Sequence, residues 1–551
     1  MSREKAGRGA RALYIGAVAA LAALTTPVCV WAEDIAPKVL PDRIEDVPST
    51  RPDPFPAFAN FGWRAFIALS WPSLTDPAHR GLPDRAKTLG DPGPRVWETF
   101  KSRSEIFQPR DAAPAKWSSY AGENPCGPRV NNRTKTLSAF NAYADFNQAS
   151  FTPGHFTGPL VAQNRSYTRY EVRFNEAEFD SLIDYRGRKK EDQPDREHPA
   201  QFNLGSIAVK AAWRILTDAD TPAVRQRYYV VRNAEVLDVA ESLKAGTGVC
   251  SKRDIALVGL HIMIKTRYRP QWIWSSFEHV DNVPPVGSGE AREPDAAASH
   301  APYSYYDAAK PPPVMAPEIA APAPVSAANP PKIDPEPAQI LRRLPINPET
   351  MAMNRAYWAL PELRDTVWAN YMLVASQWPT EPQPVGPQND GRYFPGFRAD
   401  ANTPGEPYQQ GDAPPHNLAN TMMETYLQGA PSSCMACHHV VSNDLGHDFV
   451  AISEFQVEEP RNGAPAAPDA PQSEPHGQFP AVGIVTGVNP AKGYLTISHE
   501  DIKGLMPAME MTFRVEPRAL VAEIHRGDKI DFTVDSPSFV IRTVKVIERA
   551  P

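Results

Sequence analysis

The sequence MPAMEMTFRV at residues 506–515 decides the predicted fold of the C-terminal part of the chain. From residue 509 onward, apolar and polar side chains alternate strictly. In an extended chain, one face therefore carries Met509, Met511, Phe513 and Val515, and the other carries Glu510, Thr512 and Arg514. Alternation with this period predicts a strand that buries one face.

Similar alternation extends to both sides of this segment, and the turn-forming sequences NPAKG at 489–493 and DSP at 535–537 interrupt it. The predicted strands are Ala481 to Val488, Gly493 to His499, Ala508 to Val515, Asp528 to Val534 and Ser538 to Ile547. Five short strands in about 70 residues predict a small, all-β, OB-like five-stranded barrel. We assign it residues 479–551.

The same period places three metal-ligating side chains together. His499 shares a strand face with Leu495 and Ile497, so it converges with Met509 and Met511 in the barrel interior or at its mouth. One imidazole and two thioethers suit Cu(I) or Ag(I) rather than zinc or magnesium. The alternative is that methionines at this spacing are ordinary core residues.

The motif formed by His499 and the sequence MPAMEMT at 506–512 resembles that of the CusF-like periplasmic copper- and silver-binding family. The resemblance implies a five-stranded barrel that binds Cu(I) through His499, Met509 and Met511. Met506 stands where the family has a tryptophan stacked over the metal, and the spacing from the histidine to that position is one residue shorter. Loss of the indole puts shielding of the metal from solvent in doubt, while Met506 is a candidate third thioether.

A second chemical motif is CMACH, Cys434 to His438, which has the C-x-x-C-H spacing of a covalent c-type haem site. We expect Cys434 and Cys437 to bind the porphyrin and His438 to ligate the iron. Two alternatives are a thiol redox pair and half of a zinc site that uses His438, His439 or His447.

Residues 348–455 around this motif resemble a small class-I-like cytochrome c, which implies a mainly α haem region. Helical spacing predicts helices at Glu362 to Ala375 and Leu418 to Leu427. Unlike that family, no methionine follows the motif until Met506, so the distal ligand stays open. The candidates are His447, His416, Met422, Met423, Met351 and Met353, or no protein ligand at all.

The N-terminus has the pattern of a secretory signal peptide over residues 1–32: basic residues, an apolar run and a Val30-Trp31-Ala32 cleavage site. We therefore expect a periplasmic protein without a stable membrane span after cleavage. If Cys29 leaves with the signal and Cys434 and Cys437 bind haem, Cys126 and Cys250 are an even remainder, and we expect them to form a disulfide.

After an extension at 33–49, residues 50–282 predict an α+β domain of unknown role. Helices are expected at Asn60 to Leu69 and Ile207 to Leu216, and strands at Tyr228 to Val239 and Ile255 to Lys265. The end of this region carries two histidines and two tryptophans that are either a binding site or the edge of an aromatic core: His261, Trp272, Trp274 and His279. Pro- and Ala-rich linkers are expected at 283–347 and 456–478.

The formal net charge of -7 argues against a nucleic-acid partner. The combined motifs predict a periplasmic c-type cytochrome that transfers one electron to a redox partner protein and holds Cu(I) in its C-terminal module. Two alternatives remain: a haem-dependent oxidoreductase whose N-terminal domain binds a substrate, and a protein that sequesters or delivers copper.

Overall fold

The computed structural model describes residues 37–106, 159–238, 249–285, 302–310, 329–378, 419–428 and 477–549, with internal gaps and with shorter pieces between them. Within these residues, the α-helices are α1 to α6, in chain order: Pro54–Ser70, Arg103–Ile106, Glu176–Gly187, Pro222–Arg225, Pro348–Trp358 and Pro361–Arg364. Strands β1 to β5 are Lys101–Ser102, Thr136–Leu137, Ser150–Thr152, His155–Thr157 and Arg169–Phe174. Strands β6 to β10 are Ile207–Ile215, Val230–Leu237, Cys250–Ile264, Ile273–His279 and Tyr371–Gln377. Strands β11 to β15 are Gly477–Asn489, Tyr494–His499, Met509–Val515, Lys529–Ser536 and Val540–Glu548.

Among the described residues, eight strands form one large sheet in the order β1-β5-β6-β8-β7-β2, and β9 and β10 extend it from β8. The long strand β8 organises this sheet. One of its edges pairs with β6, and the other pairs first with β7 and then with β9. From Ile255 onward every residue of β8 is buried, as expected of an apolar strand covered on both faces.

Helix α1 covers one face of this sheet with large aromatic side chains. Trp63 stacks on Tyr357 of α5 at a ring-centroid distance of 4.9 Å, and Phe66 stacks on Phe277 of β9 at 4.3 Å. Gly62 allows the helix to lie this close to the sheet. A Cβ at this position would come within 2.9 Å of the Ser275 hydroxyl and 2.8 Å of the Ser376 hydroxyl. The sequence prediction of a helix carrying Trp63 and Phe66 agrees with α1.

The helix predicted at Ile207 to Leu216 is instead strand β6, which pairs with β5 and β8. Its residues are mostly buried, including Trp213 at 0% exposure. When both faces of a strand are covered, the period-2 alternation that would distinguish it from a helix is lost.

Residues 348–378 and 419–428 do not form the separate, mainly α haem region that the sequence predicted. The helix expected at Glu362 to Ala375 ends with α6, and the chain continues as a 3-10 turn and then as β10, which pairs antiparallel with β9. The helix expected at Leu418 to Leu427 is a turn followed by a 3-10 helix at Thr425–Leu427. Long-range pairing with β9 outweighs the local helical spacing in the first case.

Part of the predicted linker 283–347 also belongs to this domain. Tyr305 and Ile340 are fully buried in the same cluster as Met422, and Arg342 forms a buried ion pair with Glu278. The apolar residues of this segment are few and widely spaced, so no periodicity in the sequence marked it as ordered.

Strands β11 to β15 form a closed barrel in the order β11-β12-β13-β15-β14. Its core contains Leu495, Ile497, Phe513 and Phe532, all at 1% exposure or less. This confirms the predicted small five-stranded barrel. Across the described part of the chain, no helix combines the length and apolarity needed to cross a membrane.

Candidate metal centre

The predicted copper ligands come from two neighbouring strands of the barrel. In the antiparallel pairing of β12 with β13, His499 lies directly opposite Met509, and Ile497 lies opposite Met511. Phe513 and Val515 follow at the same strand parity and are buried in the barrel core. The three donor-bearing positions therefore lie at one end of a single strand pair.

His499 is nearly fully buried, with 3% of its surface exposed. Its Nδ1 donates a hydrogen bond to the carbonyl oxygen of Glu500 over 2.8 Å. Because a carbonyl only accepts, this bond holds the proton on Nδ1 and leaves Nε2 as the nitrogen that carries the lone pair. A metal-ligating histidine is usually oriented by such a hydrogen bond from its other ring nitrogen.

Several other predicted metal-site residues lie outside the described residues. They comprise Met506 of the barrel, the haem motif residues Cys434, Cys437 and His438, and also His416, His439 and His447. Within the described part, no group of three or more His, Cys, Asp or Glu side chains is placed to hold a metal ion. Thioethers are not among those side-chain types, so this result does not bear on a His/Met site.

Four candidates for the distal haem ligand have defined surroundings. Met422 and Met423 are 0% and 1% exposed within the core that also contains Tyr305, and Met353 is 8% exposed. The Met351 sulfur accepts a hydrogen bond from Asn354 Nδ2 at 3.5 Å. Packing thus accounts for the apolar side chains of Met422 and Met423 without a ligand role.

The segment that leads to the haem motif is tied to the large sheet by buried polar contacts. Asn420 Nδ2 donates to the Phe277 carbonyl over 2.9 Å, and the Thr421 hydroxyl donates to Glu278 over 2.7 Å. The Tyr170 hydroxyl donates to the Met422 carbonyl over 2.6 Å. Gly259 allows this close approach, because a Cβ there would lie 3.2 Å from Asn420 Oδ1.

His279 is a core histidine. Its ring stacks on Tyr228 at 3.7 Å, Nε2 donates to the Arg227 carbonyl, and Nδ1 accepts from the Asp281 amide. Burial lowers the pKa of His279 to about 4 despite the nearby Asp281 carboxylate. A neutral, buried ring whose two nitrogens both form hydrogen bonds fits a role in core packing. Trp272 and Trp274 are likewise buried, at 0% and 4% exposure.

His261 differs from His279. It lines a small cavity with Met263, Trp274, Ser276 and Gln377, and its Nε2 lies 3.5 Å from a carboxylate oxygen of Glu424. Burial raises the pKa of Glu424, but the neighbouring His261 and Lys210 and the Asn420 N–H outweigh it and lower that pKa overall. The sequence did not single out Glu424, because it lies in a segment predicted to be an ordinary amphipathic helix.

Cys126 and Cys250 form a disulfide bond with a Cα–Cα distance of 5.5 Å. It links β8 to a part of the chain 124 residues away in sequence. Disulfides persist in oxidising compartments, so the bond fits an exported protein.

Residues 478–549 match the family model described as "Copper binding periplasmic protein CusF". Ag(I)-bound CusF from Escherichia coli is 28% identical, with 13% of this chain and 95% of that one covered and a TM-score of 0.13. Apo-CusF from the same organism is 28% identical, with 13% and 89% covered and a TM-score of 0.12. The C-terminal domain of SilB from Cupriavidus metallidurans is 26% identical, with 14% and 98% covered and a TM-score of 0.12.

No curated protein matches the chain significantly. The family match begins and ends with the barrel and leaves the large sheet domain unassigned. The C-terminal barrel, residues 478–549, is thus a CusF-like domain.

Proposed function

We propose that the C-terminal barrel binds one Cu(I) or Ag(I) ion in the periplasm through His499, Met509 and Met511. The observation that carries this proposal is the register of β12 and β13, which sets the buried His499 opposite Met509. The family model that matches the barrel is that of a periplasmic copper-binding protein, and one similar structure holds Ag(I). An imidazole with two thioethers is a soft donor set that favours Cu(I) over Cu(II) or Zn²⁺.

Titration of the full chain with Cu(I) under reducing, anaerobic conditions tests this site. Met509→Leu and Met511→Leu keep the apolar volume and remove one thioether each. Each is expected to weaken binding by about 100-fold, since even outer-shell partners of metal ligands are worth 10–100-fold. Met372→Leu on β10 removes a thioether elsewhere and serves as the matched control. Binding that is equally tight in all four proteins would refute the assignment.

A second function, electron transfer through a c-type haem, rests on the sequence motif Cys434 to His438. Cys434 and Cys437 would hold the porphyrin covalently and His438 would ligate the iron, which supplies one-electron redox chemistry when bound. The anchored segment 419–428 favours this function, because it fixes the chain six residues before the motif against a rigid sheet. A periplasmic redox protein would be the partner.

Visible spectroscopy of protein exported to a periplasm separates the alternatives. A c-type pyridine haemochrome that disappears in Cys434→Ser and Cys437→Ser would establish covalent haem. Sharp low-spin bands that are indifferent to CO favour electron transfer, whereas a high-spin spectrum that CO shifts favours a haem-dependent oxidoreductase. Absence of haem would leave a thiol or zinc role for Cys434 and Cys437. The function of the protein would then be the sequestration or delivery of copper.

A further inference from the structure

The imidazole of His499 lies against the aromatic ring of Phe513 inside the barrel. The two ring centroids are 5.7 Å apart, and the ring planes are tilted by 57°. Phe513 is fully buried and His499 is 3% exposed, so this contact is part of the barrel core. Aromatic pairs at such a separation are attractive beyond the apolar area that they bury.

This contact fixes the direction of the His499 side chain. In the register of β12 and β13, His499 pairs with Met509, whereas Phe513 pairs with Leu495. The two pairs lie four positions apart on each strand, which is about 13 Å at ~3.3 Å per residue. Rings attached so far apart meet because their side chains lean toward each other. The imidazole therefore leans along β12 into the barrel, toward the level of Met511.

The other surroundings of the imidazole leave it one further freedom. On β11, His499 pairs with Gly483, which has no side chain to support the ring. The ring Nδ1 donates to the Glu500 carbonyl over 2.8 Å, and the Glu500 amide donates to the Val482 carbonyl of β11 over 2.8 Å. A single hydrogen bond lets a ring turn about that bond, and the contact with Phe513 removes this freedom.

Phe513 supports the imidazole firmly because it is itself held in the core. Its ring lies 5.6 Å from that of Phe532 on β14, and its cross-strand neighbour Leu495 is fully buried. All three side chains belong to the apolar cluster that fills the barrel. Side chains in such a densely packed core stay in single rotamers.

We propose that Phe513 is a positioning residue of the copper site, which orients the His499 imidazole so that Nε2 is presented to Cu(I). This inference rests on the proposed Cu(I) site, in which Nε2 is the nitrogen that carries the lone pair. Phe513 acts only through His499. Partners that orient a metal ligand typically change metal affinity by about 10–100-fold.

Competition between the full chain and a Cu(I) chelator tests this role with three variants. Phe513→Leu removes the ring and is expected to weaken Cu(I) binding by about 10-fold, whereas Phe513→Tyr keeps the ring and should bind like the wild type. Phe532→Leu is the matched control. It removes a ring from the same core cluster, but it lies on β14, which pairs with β11 and β15 and not with β12 among the described strands.

The control protein should therefore keep the wild-type affinity for Cu(I). Equal affinities of Phe513→Leu and Phe532→Leu would overturn the inference, because general loosening of the core would then account for any loss. A Phe513→Tyr protein that binds as weakly as Phe513→Leu would overturn it as well.

Nitrogen NMR of the metal-free, histidine-labelled full chain gives a readout that does not involve copper. At about pH 8 an imidazole is neutral, and the His499 signal is identified by its loss in His499→Gln. The wild type and Phe532→Leu should show the Nδ1–H tautomer alone, and Phe513→Leu a mixture of both tautomers. A pure Nδ1–H tautomer in Phe513→Leu would contradict the positioning role. A wild-type protein that binds no Cu(I) would instead refute the proposed function, and the tautomer spectra would still decide the role of Phe513.

Discussion

Trp63 Nε1 on α1 donates a hydrogen bond to Asn354 Oδ1 on α5 over 2.8 Å, and both side chains are buried. The two residues are 291 positions apart and fall in regions that the sequence assigned to different domains. Asn354 also bonds both backbone groups of Leu373 on β10, through Oδ1 at 3.0 Å and Nδ2 at 2.9 Å. One amide side chain thus joins two helices and an edge strand into a single domain.

Replacement of Asn354 by Ala leaves three buried hydrogen-bonding groups without their partner. Each unsatisfied group costs about 1–3 kcal/mol, so we expect the free energy of unfolding to fall by about 3 kcal/mol or more. Urea denaturation followed by tryptophan fluorescence measures the change. Glu349→Gln, at an exposed position of the same helix, is the control and should change stability by less than about 0.5 kcal/mol. Equal midpoints for the two variants would contradict this role of Asn354.

The domain boundary itself is testable with fragments. A fragment of residues 50–282 lacks α5 and β10, so it exposes the faces of Trp63 and Phe277 that they cover. We expect it to be unfolded or aggregated, whereas a fragment of residues 37–428 should unfold cooperatively. Proton NMR dispersion or hydrogen exchange checks both. A well-folded short fragment would show that residues 348–428 are an accessory to the sheet.

The barrel should fold by itself, because its five strands close and share one core. Residues 477–549 alone are expected to show a cooperative thermal transition and to bind Cu(I) with the affinity of the full chain. A fragment that folds but binds at least ~10-fold more weakly would indicate a ligand from elsewhere in the chain.

Removal of the disulfide should destabilise the large domain selectively. The bond closes a loop of 124 residues, and loss of such a bond typically costs about 2–5 kcal/mol. The double variant Cys126→Ser, Cys250→Ser is expected to lower the Tm of this domain and to leave the barrel transition unchanged. Addition of dithiothreitol should reproduce the shift in the wild-type protein and have no effect on the variant.

Acid should weaken the large domain through His279. Its pKa is lowered to about 4 in the folded state, against about 6.5 for an unfolded histidine. The unfolded chain therefore binds more protons between these values, so the stabilisation is complete above pH 6.5 and is lost as the pH falls toward 4. The difference amounts to about 3 kcal/mol for this group.

Comparison with His279→Gln isolates that contribution. Glutamine can donate to the Arg227 carbonyl and accept from the Asp281 amide, as His279 does, but it does not titrate. The wild-type free energy of unfolding should fall more steeply than that of the variant between pH 6.5 and 4. Parallel pH profiles would show that His279 is not the group responsible.

Patterns of period 2 made the barrel predictable. Its five strands each bury one face, so alternation in the sequence maps directly onto side-chain direction, and the placement of His499 and Met509 on adjoining strands follows from it. The predicted strands end at the observed residues His499 and Val515, and the other strand boundaries differ from the observed ones by a few residues, because strand ends are set by partner strands and turns. Helix α1 was predictable for a similar reason, since its aromatic residues face one sheet.

The large domain was predictable only in part, because its strands are covered on both faces. Residues 207–216 lack alternation for that reason, and β10 owes its conformation to β9 rather than to its own propensity. The His261–Glu424 contact joins a strand to a turn that follows far along the chain, and no local pattern signals such a pairing.

The sequence by itself thus determined the barrel, because its strands follow from local spacing, whereas the Cu(I) ligands and the haem chemistry of the Cys434–His438 motif stay predictions from side-chain type and spacing. Only the tertiary structure decided that Tyr170, Tyr305, Ile340 and Met422 share one core although they lie far apart along the chain, that His279 is a neutral packing residue, and that His261 lies beside Glu424. These features arise from contacts between distant segments, whose energies come from burial and from long-range hydrogen bonds that local sequence does not encode.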